Sequence, residues 1–205
     1  MRLLGNSHRW LPVAAFVLLL YLIQGVARQR PFAYDGPLLL AIHRYSTPTL
    51  DRLMLAITQV GHPDTLVAIA LITLAALLLR RRWPLALLVL LTCLGSYGLG
   101  VGLKLLFAKA RPSLWPLITS EPTYSFPSGH TLGSTVLYGL VTHLLIRRYP
   151  NWQVAIGGAA AVLLAAIGFS RLYLGVHWPT DVAGGYAIGG LWLAGCIALF
   201  QKWQG

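Results

Sequence analysis

The sequence predicts an all-α integral membrane protein: a bundle of six transmembrane helices with an interfacial helix between the first two spans. Three observations predict it. Of 205 residues, 57% are hydrophobic and only 10% are charged, against roughly a quarter charged in soluble domains. The apolar residues gather into six runs. The strongly polar clusters fall at the ends of those runs, where a membrane protein meets water.

The six runs cover 11–27, 65–79, 83–103, 131–146, 152–169 and 182–200. A helical span needs about 20 residues, so the second and fourth are short, and snorkelling arginines and polar end residues extend them. The first run carries a second reading as a signal peptide, because Arg2 and Arg9 precede it and it ends in Gly25, Val26 and Ala27, a small-x-small pattern. Retention is the expectation, since the other spans need a partner. Between the first two runs, in 31–64, Leu50, Leu53, Met54 and Ile57 recur at helical spacing beside Asp51 and Arg52. That pattern predicts the interfacial helix. Gly98 with Gly102, and Gly185 with Gly189, form small-xxx-small pairs, which either let helix backbones approach or are ordinary membrane-helix filler.

Length and the absence of a linker-like stretch predict one membrane-embedded domain over residues 1–205. The net charge of +11 is not a nucleic-acid signature here. Its lysines and arginines sit in short clusters between apolar runs, as at Arg80, Arg81 and Arg82, which fits anionic lipid headgroups. Cys93 and Cys196 lie inside apolar runs, so neither a disulfide framework nor a Cys-based metal site is expected. A retained first span puts the N-terminus in the cytoplasm together with Arg80 to Arg82, Arg147, Arg148 and Lys202. Arg28, Arg30, Arg44 and Arg52 fall opposite, and the raw tally is even. Lys104, Arg111 and Arg171 share that outer side for a chemical reason.

That reason lies in three polar clusters, at 104–112, 127–130 and 170–181. The first two bracket the loop between spans three and four, and the third bridges spans five and six. Two loops separated by two spans face the same side, so all three clusters can meet. Lys104, Arg111 and Arg171 would repel one another if gathered without an anion, and a phosphate resolves the conflict; taken singly, each reads equally as an interfacial anchor. Ser128 is a favoured N-cap, which predicts a helix start with free N–H groups aimed outward, an anion site. Gly129 leaves the backbone open to an oxyanion. His130, in the first turn, could give a proton to a leaving oxygen, or merely cap the helix. His177 and Asp181, four apart with Pro179 between, follow nucleophile-and-orienter logic, or form a structural pair.

Lys104 with Arg111 and Pro112, then Pro127, Ser128, Gly129 and His130, then Ser170 and Arg171 followed by His177 and Asp181, resemble the three-part signature of the type 2 phosphatidic acid phosphatase (PAP2) superfamily. The resemblance covers 104–181, with no departure at a motif position. It implies a six-helix, metal-independent and cofactor-free membrane enzyme that dephosphorylates lipid phosphates and diphosphates. It implies further that His177 attacks phosphorus to give a phosphohistidine, that Asp181 orients it, and that His130 protonates the leaving oxygen and later activates water. Lys104, Arg111, Ser128, Gly129 and Arg171 would hold the phosphoryl oxygens. His8, His43, His62 and His143 lie outside the pattern and are expected to be interfacial or structural.

The expected reaction is hydrolysis of a polyprenyl diphosphate or glycerophospholipid phosphate at the outer face of a cell membrane, with undecaprenyl diphosphate, phosphatidylglycerophosphate and phosphatidic acid as candidate substrates. Two rivals remain. A phosphotransferase of the same family would pass the phosphoryl group to another lipid. A non-catalytic anion or lipid transporter would use the basic residues as a path, but leaves the His177 to Asp181 spacing without a purpose.

Overall fold

A computed structural model of the protein describes residues 7–28, 32–119 and 121–204, with side chains from 13 onward except at 15. Arg2 and Arg30, counted in the topology argument, and the Arg9 side chain lie outside what is described. The described residues are all-helical: α1 (Ser7–Ala27), α2 (Asp35–His43), α3 (Pro48–Val60), α4 (Pro63–Leu79), α5 (Trp83–Phe107), α6 (Gly129–Arg148), a 3-10 turn (Pro150–Trp152), α7 (Gln153–Tyr173) and α8 (Pro179–Gln204). Proline opens α3, α4, α5 and α8, where its missing N–H costs nothing.

Four stretches among them are long and apolar enough to cross a membrane: Pro48–Leu79, Trp83–Phe107, Pro150–Tyr173 and Pro179–Gln204. They contain the second, third, fifth and sixth expected runs. The first and fourth runs fall in α1 and α6. α6 is more polar because it is the centre of the bundle, packed on α8, α7, α5 and α4; His130, Thr131 and Ser134 are buried along it together with Leu132, Val136, Leu137 and Leu140. A helix that faces protein on most sides need not be apolar to be buried. Where one helix was expected between the first two runs there are two, α2 and α3. The Leu50, Leu53, Met54 and Ile57 pattern belongs to α3, and Met54 packs with Tyr173, Leu174 and Val176.

The two glycine pairs behave differently. A Cβ at Gly185 would lie 2.9 Å from the Ser128 carbonyl oxygen, and one at Gly189 would lie 2.9 Å from that of Leu132. This pair lets α8 rest directly on the backbone of α6. Gly98 and Gly102 face open space, so the packing expected of them is not seen. The same spacing on two helices has opposite meanings because only one helix turns that face to a partner.

Candidate active site

The site is assembled at one end of the bundle by the last turn of α5, the start of α6, the end of α7 and the start of α8. After Phe107, Ala108 adopts the left-handed conformation (φ 45°) and donates its N–H to the Lys104 carbonyl at 2.9 Å. That closure ends α5 and the chain then carries Lys109 into the interior, where it is 5% exposed. The loop that follows is pinned at both ends. Ser125 N–H donates to the Lys109 carbonyl at 2.8 Å, and the Trp178 indole N–H donates to that of Ala110 at 2.9 Å. Phe126, joined to Pro127 by a cis peptide, is fully buried against Phe107 and Gly184.

Ser128 takes the N-cap position of α6 in an extended conformation, as its residue type predicts, but its side chain caps nothing. The Ser128 Oγ is buried without a hydrogen-bond partner among the described residues, as are His130 Nε2 and Arg171 Nε. Buried polar atoms are ordinarily paired; these three belong to the signature segments, and Thr92 Oγ1 and Ser134 Oγ are also without a partner among the described residues. Gly129 opens α6, and a Cβ there would meet nothing within 4 Å.

At the other wall, α7 ends at Tyr173, and Gly175 (φ 69°) turns the chain beneath Trp115, which a Cβ would strike at 2.5 Å. His177 therefore lies in the turn before α8, and not on that helix as the four-residue spacing suggested. The pair forms by a different route. Asp181 sits in the first turn of α8, and its Oδ2 accepts the Trp178 N–H at 2.9 Å, the reach-back half of a capping box. This brings Oδ2 to 3.6 Å from His177 Nδ1. Ser125 stands between them: its Oγ donates to Asp181 Oδ2 and lies 3.4 Å from His177 Nδ1. The other nitrogen, Nε2, lies 3.2 Å from Arg111 Nη1.

Each predicted cation is held by fixed oxygens. Arg111 donates from Nε to the Thr123 carbonyl at 2.7 Å and from Nη1 to that of Val176 at 2.6 Å. Lys104 donates to the Tyr124 carbonyl, and to Thr123 Oγ1 at 3.2 Å. Arg171, 1% exposed, donates to Thr58 Oγ1 at 2.7 Å and pairs with Glu121. The structure thus joins Arg111 to His177, Ser128 to Asp181 through a 3.1 Å backbone bond, and Lys104 to Arg111 through Thr123 and Tyr124. His130 lies within electrostatic reach of Arg171, His177 and Arg111.

Burial pushes the His177 imidazole down to about 4; Asp181 opposes that fall, and Arg111 and Arg171 add to it. Burial alone would raise the Glu121 carboxyl, but Arg171 and then Arg111 outweigh it and hold the group below the usual carboxylate range.

Sequence reasoning passed over Lys109, Glu121, Ser125 and Thr58. For Glu121 a signal existed: the chain has only five acidic residues, and one of them falls between two signature segments. His62 was set aside as structural; it caps α4, accepting the Asp64 N–H on Nδ1 at 3.3 Å, and its ring stands edge-on to His130 at 5.8 Å. One helical turn along α3 from Thr58, an apolar cavity of about 360 Å³ opens between α2, α3 and α7, with Ile42, Met54 and Tyr173 in its walls.

Fold and site together define a multi-pass helical membrane protein whose partly buried basic cluster surrounds a His and Asp pair. The chain belongs to the PAP2 superfamily, whose family model matches residues 83–204. It is 31% identical over 184 residues to phosphatidylglycerophosphatase B of Bacillus subtilis, covering 87% of this chain and 89% of that protein. It is 29% identical to an undecaprenyl-diphosphatase of Sulfolobus acidocaldarius over 89% and 86% of the two chains. Among solved structures, a transmembrane PAP2 type phosphatidylglycerolphosphate phosphatase from Bacillus subtilis superposes with a TM-score of 0.84 at 29% identity, over 94% of this chain and 97% of the other.

Proposed function

We propose that this protein is a lipid phosphatase of the PAP2 type, acting through a phosphohistidine on His177. The observation that carries the reading is the set of buried, unpartnered polar atoms, Ser128 Oγ, His130 Nε2 and Arg171 Nε, in the same signature segments that supply the Arg111 and His177 pair. A phosphoryl group offers the acceptors that Ser128 and Arg171 lack, and its leaving oxygen the acceptor that a protonated His130 would need.

The reaction follows from these groups. His177 Nε2 attacks phosphorus; the N–P bond forms as the bond to the lipid oxygen breaks, and His130 gives that oxygen its proton. Water then attacks the phosphohistidine, His130 takes back a proton, the N–P bond breaks and inorganic phosphate leaves. Asp181 supports the positive imidazole ring between the two steps. Lys104, Arg111, Ser128, the Gly129 N–H and Arg171 meet the charge that develops on the phosphoryl oxygens. Three fixed cations do this work without a metal ion.

The substrate proposed is a polyprenyl diphosphate or a glycerophospholipid phosphate, by the names of the relatives and by the apolar cavity one helical turn along α3 from Thr58. The proposed setting is a single domain of six spans, α1 and α4 to α8, with α3 at the interface and the site on the extracytoplasmic side. A reporter fused after Lys202 is then cytoplasmic.

The deciding experiment is a substrate panel in detergent that follows free phosphate and phospholipid product together. Release of free phosphate, unaffected by chelator and inhibited by vanadate, is expected. Transfer to a second lipid would make the protein a phosphotransferase, and a requirement for divalent metal would overturn the mechanism. Lipid movement across vesicles that survives His177→Ala would make it a transporter.

A further inference from the structure

Lys109 is a buried cation that neither the signature nor the mechanism uses. Its Nζ donates to Asp181 Oδ1 at 2.7 Å and to Thr180 Oγ1 at 2.8 Å, and side-chain exposures of 6% and 0% for Lys109 and Asp181 leave little water to weaken the pair. Thr180 in turn donates Oγ1–H to Asp35 Oδ2 at 2.9 Å and its N–H to Asp35 Oδ1 at 3.2 Å. The result is a continuous chain from α2 to the reacting imidazole: Asp35, Thr180, Lys109, Asp181, Ser125, His177.

We propose that Lys109 is a positioning residue for the reaction, which fixes the Asp181 carboxylate through Oδ1 and offsets its charge so that His177 rests as the neutral, attacking imidazole. The inference rests on the role of His177 given above. The physical problem it answers is specific to a buried site. A lone carboxylate beside an imidazole stabilises the imidazolium, and a protonated Nε2 has no lone pair with which to attack. Opposite charges within about 4–6 Å move such equilibria by about 1–3 units, which narrows the margin by which burial keeps the ring neutral. With Lys109 on Oδ1, Asp181 keeps Oδ2 for Trp178 and Ser125 while its net field at the ring is diminished.

The charged and titratable groups facing His177 are Arg111 from the loop after α5, Glu121 from the same loop, His130 from α6, Arg171 from α7 and Asp181 from α8. Lys109 itself faces Asp35 and Asp181. Arg111 and Arg171 also disfavour a charged ring. They stand on the phosphate side, however, and a bound anion offsets them at the moment of attack. Lys109 is on the far side, tied to protein groups, and continues to act when substrate is bound.

The test uses full-length protein in detergent, labelled with 15N-histidine, with the His177 signals assigned by their loss in His177→Ala. In the wild type, His177 is expected to stay neutral, protonated on Nδ1, down to well below pH 5. In Lys109→Gln its protonation midpoint is expected to rise by at least about one unit, and Lys109→Arg is expected to hold it within half a unit of wild type. The acid limb of kcat/KM should move upward with it in Lys109→Gln, while the rate on the alkaline side stays within a few-fold of wild type. A midpoint within 0.3 units of wild type in Lys109→Gln overturns the proposal, as does a rate lowered equally at every pH. Lys109→Met, which fills the space with apolar atoms, is read the same way if the Gln variant does not fold. Failure of both to fold, with Lys109→Arg intact, also overturns it and leaves a purely structural ion pair. Absence of phosphatase turnover in wild type would refute the reaction assigned above, while the NMR midpoint would still decide the role of Lys109.

Discussion

Arg111 Nη1 lies 3.2 Å from His177 Nε2, and this one contact fixes the tautomer of the ring. A guanidinium only donates. Nε2 is therefore the acceptor, with its lone pair toward the basic cluster, and the ring proton is on Nδ1, facing Ser125 Oγ and Asp181 Oδ2. In the mechanism proposed above, the attacking nitrogen is thus held ready by the group that afterwards binds the phosphoryl oxygens. His177→Ala is expected to lower turnover by at least about 10⁴-fold, as for nucleophiles that act with their partners as a unit. Arg111→Lys is expected to cost about 10²-fold or more even with its charge kept, because an ammonium cannot span Thr123, Val176 and Nε2 together. Steady-state rates on a lipid phosphate check both, and rapid-quench trapping of an acid-labile, base-stable phosphoenzyme should succeed in wild type and fail in His177→Ala.

His130 separates from His177 by its dependence on the leaving group. His130→Gln is expected to slow lipid phosphate hydrolysis by about 10²- to 10⁴-fold, the usual contribution of general acid catalysis. An aryl phosphate with a nitrophenolate leaving group needs no proton, so its first step should lose far less. Equal losses on both substrates would place His130 outside proton transfer.

Glu121 puts a carboxylate against Arg171, the guanidinium proposed to bind phosphate. It remains ionised because Arg171 and Arg111 outweigh the effect of its burial. An anion entering the site competes with it. Glu121→Gln is expected to tighten inhibition by vanadate by roughly tenfold, equivalent to about 1.4 kcal/mol. The inhibition constant measured above pH 6 checks this, and an unchanged constant would show that Glu121 stays paired when the site fills.

The buried, neutral His177 also makes the fold sensitive to acid. Its folded-state value of about 4 lies below the ordinary 6.5. Between these values the unfolded chain binds a proton that the folded chain refuses, so stability rises with pH through this window and is lost as pH falls. Melting temperature in detergent should decline from pH 6.5 to pH 4, and the part due to this ring should vanish in His177→Ala.

Gly185→Ala and Gly189→Ala would push Cβ atoms onto backbone oxygens of α6 at 2.9 Å. Each is expected to destabilise the protein by about 1–3 kcal/mol, the usual cost of overpacking. Gly98→Ala and Gly102→Ala point into open space and are expected to be neutral or slightly stabilising, since alanine is the better helix former. Parallel melting curves of the four variants test the contrast.

The same comparison shows what could be read in advance. Both glycine pairs carry one spacing, and nothing local tells which face of a helix will find a partner. That the three polar segments meet was legible because their residues are polar at apolar run ends, and because loops two spans apart share a side. Lys109 was not, because it is one basic residue among sixteen and is turned inward only by the left-handed turn at Ala108. The offset of His177 from the α8 axis was hidden for a similar reason: spacing of four fits a helix face and a reach-back cap equally well. The α6 run was legible as a span, but its shortness and polarity were explained only by the fold, which surrounds it with α4, α5, α7 and α8.

That surplus of polarity in α6 bears on how the protein is made. A segment carrying His130, Thr131, Ser134, Thr135, Thr142 and His143 gains little from lipid alone, and α8, which meets it most closely, leaves the ribosome after it. Until α8 arrives, α6 has to shelter at the insertion machinery or against α5 and α7. Assembly of the candidate site therefore waits on α8, and a polypeptide stopped short of that helix would lack Asp181 and the surface that covers α6.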